Sequence, residues 1–248
     1  MLNEPTMDRL RTLKLTAMAT AWASQQSDPS ATALAFDERL ALLVEAEVLH
    51  RDNARLTRAL REAKLKVPNA CIEDVDYPPK RGLDRAVVRQ LATCRWVAEH
   101  HAVVITGFTG TGKTYLACAL AQQACRLGLR AIYKRASRLF DELTLARADG
   151  TYARLLDRFA KIDVLVIDDW GLAPVAASSR QDLHDLIDDR TGHRATIMTS
   201  QLPTSCWHDY IGDPTVADAV CDRLLHTAHK IELKGPSRRK PAPSEPSE

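Results

Sequence analysis

Two rhythms of apolar and polar positions divide this chain. In residues 1 to about 70, apolar side chains recur at helical spacing and glycine is almost absent. The clearest helix runs from Phe36 to Leu65, with Leu42, Ala46, Leu49, Leu56, Leu60 and Ala63 on one face and Arg51, Arg55 and Arg58 opposite. The segment 75–82, with Pro78 and Pro79 in tandem, interrupts that rhythm and predicts a linker, because paired prolines cannot continue a helix. From about 83 to 235, short apolar runs alternate with helical stretches. The expected strands are 102–106, 130–134, 162–167, 195–200 and 229–233. Alternating strands and helices predict an α/β domain with a mostly parallel five-stranded sheet covered on both faces. The expected division is a helical domain at 1–74, an α/β core at 75–235 and a tail at 236–248 whose prolines, serines and charges predict disorder.

Composition narrows the choice of partners. The net charge of the 248 residues is only +2, so a nucleic-acid partner would have to be held by a local basic patch. No apolar stretch approaches the ~20 residues of a membrane span, and residues 1–12 lack the apolar segment of a signal peptide, which predicts a cytoplasmic protein with no membrane partner. The six cysteines have neither C-x-x-C spacing nor an accompanying histidine cluster. They are expected to be reduced thiols, with Cys118 and Cys125 on one helix face in the core.

The chemistry is concentrated at Gly107, Phe108, Thr109, Gly110, Thr111, Gly112, Lys113 and Thr114. This stretch fits G-x-x-x-x-G-K-[ST], follows an apolar strand and opens a helix, the context in which glycines let backbone N–H groups close around phosphates. Lys113 is expected to reach the β- and γ-phosphates of ATP and Thr114 to ligate Mg²⁺. The strand Val164–Ile167 runs into Asp168 and Asp169. Asp168 suits the metal side of such a site, and Asp169 suits polarisation of the attacking water. Ser200 and Gln201, at the end of the fourth strand, are candidates to sense the γ-phosphate. Arg223, on a helix expected over 214–226, is a candidate to complete a neighbouring subunit's site.

Together these residues resemble the AAA+ ATPases of the DnaA, DnaC and IstB clade, and most of all the IstB-like ATP-binding proteins of insertion sequences. The resemblance rests on Leu10–Leu15 with Met18, Phe36–Leu43, Gly82–Arg85, the loop 107–114, Ile167–Leu172, Thr199–Pro203, Asp222–Leu224 and Gly235–Arg238. It implies a P-loop AAA+ core behind a helical DNA-binding or oligomerisation domain. It further implies an ATPase that assembles on duplex DNA as a homo-oligomer, delivers that DNA to a transposase and disassembles on hydrolysis. Arg223 would then act in trans, Gln201 would sense the γ-phosphate, and Arg238 would be a candidate for a second sensing arginine. A clade-specific helix over 151–161 would grip DNA through Arg154, Arg158 and Lys161, with Arg135, Arg138 and Arg147 nearby and Arg51, Arg55 and Arg58 as a second basic face. A replicative-helicase loader of the DnaC type is the alternative on the same ATPase body.

Overall fold

The computed structural model describes residues 3–238. The chain divides into two compact units, 1–58 and 59–248. Residues 59–74, which sequence patterning assigns to the helical domain, therefore belong with the larger unit. The part of the expected tail beyond Arg238 lies outside the described residues.

The smaller unit contains α1 (Asn3–Thr12), α2 (Thr16–Ser27), α3 (Pro29–Thr32) and most of α4 (Phe36–Ala63). Its anchor is a carboxylate. Glu47, only 6% exposed, accepts the Ala17 and Met18 N–H groups, each at 3.1 Å, and so caps the first turn of α2, which has no side-chain cap of its own. Arg51 donates to the other oxygen at 2.8 Å, and it and the Met18 N–H hold the Glu47 carboxyl below the usual carboxylate range. The buried face of α4 runs through Leu43 and Glu47, whereas Leu42 and Leu49 are about half exposed at 52% and 53%. The expected face therefore holds toward Leu56, Leu60 and Ala63 and is displaced in the first half of the helix. The first half of α4 carries apolar residues over a wide arc (Leu40, Leu42, Leu43, Val44, Val48, Leu49), so spacing alone does not single out one stripe.

The larger unit continues with α5 (Arg85–Ala92), α6 (Arg95–Ala98), β1 (Val103–Gly107), α7 (Lys113–Arg126), β2 (Ala131–Arg135), α8 (Ala136–Ala148), α9 (Tyr152–Ala160), β3 (Val164–Trp170), α10 (Ala177–Arg190), β4 (Ala195–Ser200), α11 (Trp207–Ile211), α12 (Pro214–Leu225) and β5 (His229–Leu233). All five expected strands form, within two residues at the start of each and three at its end. They make one parallel sheet in the order β2-β3-β4-β1-β5. β1, β3 and β4 are buried over most of their length, as strands covered on both faces must be. Trp170, Trp207, Leu139, Leu143 and Leu186 pack in the core beneath one face. Cys118 and Cys125 are buried in α7 as expected, and burial pushes both thiols up to about 11.

Strand order creates the site. β4 lies between β1, which leads into the phosphate loop, and β3, which carries the acidic pair. Thr199 stands beside Ile105, and Ser200 stands between Thr106 and Trp170. Three carboxyl-terminal strand ends thus meet in the middle of the sheet, the position where parallel α/β sheets bind ligands.

Candidate nucleotide-binding and hydrolysis site

The loop between β1 and α7 keeps its shape through its own bonds. The Thr111 hydroxyl donates to the Phe108 carbonyl at 2.8 Å, and Lys113 Nζ donates to the Gly107 and Phe108 carbonyls at 2.8 and 2.9 Å. Two glycines are required for different reasons. Gly107 has φ +143°, and a Cβ there would collide with the Leu233 carbonyl of β5. Gly112 has φ +96° as the residue before α7, and a Cβ there would lie 2.8 Å from Arg81 Nη2. The loop lines a cleft of about 530 Å³ together with Lys66, Asp76, Arg81, Asp169, Gln201 and Arg238.

Asp168 is fully buried, yet its carboxylate is well satisfied. Thr114 Oγ1 donates toward both oxygens at 3.0 and 3.1 Å, and Tyr133 and Thr199 donate their hydroxyls. Burial, and then the bond to Asp168, pushes the Tyr133 phenol up, so it stays a donor. Asp169 differs from its neighbour in backbone conformation and exposure. It belongs to a register shift in β3 between Ile167 and Trp170 and adopts φ +60°. A bulge of this kind turns a side chain that strand alternation would send to the opposite face. Its N–H donates to Thr199 Oγ1 at 3.1 Å, and its carboxylate lies 3.6 Å from Lys66 Nζ and 3.5 Å from Arg135 Nε. Lys66 is also 3.5 Å from Asp168. A hydroxyl and a carboxylate side by side are hard oxygen donors, and that set suits Mg²⁺ at Thr114 and Asp168.

The remaining expectations separate cleanly. Gln201 faces the loop, its Oε1 accepting the Thr109 hydroxyl at 2.7 Å. Ser200 is buried and structural: it donates to the Trp170 carbonyl and accepts the Leu202 N–H. Arg223 is not in this cleft. It pairs with Asp188 at 2.7 Å and lines a separate cleft with Glu99, His101 and Arg194. Arg154, Arg158 and Lys161 are exposed on and beside α9, with Lys161 paired to Asp157. Arg55 pairs with Asp52 and Arg138 with Asp141, both in exposed pairs, and Arg58 is exposed. Three arginines expected at DNA are engaged elsewhere, and Arg51, bound to Glu47, is the first of them. Arg135 turns into the nucleotide cleft, and Arg147 is held by the buried Asp182 and stacks on the Tyr152 ring at 3.7 Å. Sequence reasoning missed Lys66, Tyr133 and Thr199. The end of the strand between loop and acidic pair was the one readable signal for Thr199, because Ser200 and Gln201 beside it were already candidates.

A phosphate loop, an acidic strand end and a polar strand between them, on a parallel sheet of this order, define a P-loop ATPase of the AAA+ class. Solved structures share the fold. DnaI is 23% identical with a TM-score of 0.57, over 67% of this chain and 92% of its own. AMPPCP-bound DnaA from Aquifex aeolicus is 19% identical with a TM-score of 0.58, over 69% of this chain and 51% of its own. The chain belongs to the IstB-like ATP binding protein family, whose profile matches residues 8–245. Its relatives include an insertion-sequence ATP-binding protein of Sinorhizobium fredii, 47% identical over 97% of this chain and 98% of the relative. Another is the IS1162 ATP-binding protein of Pseudomonas fluorescens, 46% identical over 83% of this chain and 89% of the relative. Among the described residues, no helix is long and apolar enough to cross a membrane.

Proposed function

We propose that this protein is an ATP-driven transposition helper: it assembles on duplex DNA with ATP bound, presents that DNA to the transposase of its insertion sequence, and releases it on hydrolysis. The observation that carries the nucleotide part is the Thr114–Asp168 pairing with Asp169 turned into the same cleft, which separates a metal-side carboxylate from a water-side one. Bound Mg²⁺ would neutralise charge on the phosphates. Lys113 exchanges its two loop carbonyls for phosphate oxygens, Asp169 orients and polarises water, and Gln201 at Thr109 responds to the γ-phosphate.

The assembly part rests on other features. Arg223 lines a cleft outside its own nucleotide site, which favours action on a neighbouring subunit. Arg154, Arg158 and Lys161 form the less committed of the two basic faces: Lys161 pairs with Asp157 there, whereas on the other face Arg51 pairs with Glu47 and Arg55 with Asp52. Contacts of this kind hold phosphates without reading bases. Insertion-sequence relatives spanning nearly the full chain favour a transposase partner. The likeness to DnaI and to the DnaC helicase loader, 23% and 20% identical, extends to the fold alone.

The test is ATP hydrolysis with and without duplex DNA. Wild type is expected to hydrolyse ATP faster on DNA, and Lys113→Ala to lose nucleotide binding. Equal nucleotide binding by Lys113→Ala would remove the loop from the reading.

A further inference from the structure

One charged cluster in the nucleotide cleft has no part in the hydrolytic chemistry. Asp76 receives two guanidinium groups. Arg238 donates to both carboxylate oxygens through Nη1 and Nη2, and Arg81 Nη1 donates to Oδ1 at 2.8 Å and to the Asp76 carbonyl at 2.6 Å. Arg81 is only 4% exposed, and its Nε is buried with no hydrogen-bond partner. The cluster is fastened to the phosphate loop. The Arg238 N–H donates to the Gly110 carbonyl at 2.9 Å, the Lys234 N–H donates to the Arg81 carbonyl at 2.8 Å, and Arg81 Nη2 stands against Gly112.

Two cations and one anion leave the cluster with a net positive charge beside a loop built for polyphosphate. Guanidinium groups take phosphate and carboxylate in the same forked geometry, so a polyphosphate and the Asp76 carboxylate are rivals for the same donors. The backbone around Gly110 and Gly112 is the part of such a loop that closes on the α- and β-phosphates. The acidic pair instead stands at Thr114. Arg81 and Arg238 are therefore sited to hold phosphates present in both ADP and ATP.

We propose that Arg81 and Arg238 bind the non-transferred phosphates of the nucleotide and that Asp76, by competing for these arginines, sets the rate at which nucleotide leaves. This rests on the ATP-dependent reading above. The experiment is the dissociation rate of a fluorescent mant-ADP, chased with excess ADP, for wild type, Asp76→Asn, Arg238→Gln and the double variant. Asp76→Asn is expected to slow release by about tenfold, the worth of one charge-assisted hydrogen bond. Arg238→Gln is expected to speed release, and the slowing by Asp76→Asn to shrink in the Arg238→Gln background. Release by Asp76→Asn that is unchanged or faster, or slowed equally in both backgrounds, would overturn the proposal. Should Asp76→Asn fail to fold, Arg238→Gln alone decides: faster release supports the proposal and unchanged release overturns it. A wild type that binds no mant-ADP would overturn the ATP-dependent reading and this proposal together.

Discussion

Adjacent aspartates at 168 and 169 have different surroundings because the backbone between them is irregular. Asp168 continues the strand and is enclosed by the hydroxyls of Thr114, Tyr133 and Thr199. Asp169, at φ +60°, leaves the pleat and meets Lys66 and Arg135 in the cleft. Aspartate tolerates that left-handed conformation better than most side chains, so Asp169 is compatible with the bulge. Asp169→Asn is expected to retain ATP while its steady-state hydrolysis falls by roughly 10²–10⁴-fold, the usual worth of a positioned general base. Wild-type turnover in that variant would remove Asp169 from catalysis. At this scale the meeting of Thr114 with Asp168 beside Lys113 was legible, because the phosphate-loop pattern fixes residue type and spacing. Lys66 and Tyr133 were not, because each reaches the site from a segment that carries no phosphate-binding pattern, and only the folded sheet brings Tyr133 to Asp168.

Among elements, the strands were easier to read than the helix faces or the tail. The central strands β1, β3 and β4 are buried, so largely apolar runs mark them, while the edge strand β5 shows the alternation of a half-covered strand. In α4, by contrast, a broad apolar arc hides which stripe packs, and the polar Glu47 at the packed face works against the pattern. The segment at 235–238, composed like a disordered tail, lies against Gly110 through Arg238. Composition reports the absence of a core, not the presence of specific polar contacts. Arg190 at the end of α10 is similarly invisible in sequence, where it resembles a surface arginine. It is 1% exposed and donates to the Phe159, Ile162 and Ala195 carbonyls and the Thr196 hydroxyl, joining the entrances of β3 and β4. Arg190→Met would leave three buried carbonyls without this donor. Urea unfolding should show a loss of about 3 kcal/mol or more. A loss within about 0.5 kcal/mol, typical of a surface site, would contradict the contacts described.

For the molecule as a whole, alternation of strands and helices was enough to give a parallel sheet, and the resemblance gave its class. The position of β4 between β1 and β3 is a long-range pairing that no local window contains. The boundary near residue 58 was equally hidden, because α4 runs through it as one helix. The central proposal at this scale is that a triphosphate in the cleft governs assembly on duplex DNA. Sedimentation velocity on a labelled duplex, with ATPγS, with ADP and without nucleotide, tests it most directly. Large protein–DNA particles are expected only with ATPγS, and Arg154→Glu with Arg158→Glu should lose them while still binding nucleotide. Particles of equal size and abundance in all three conditions would contradict the account.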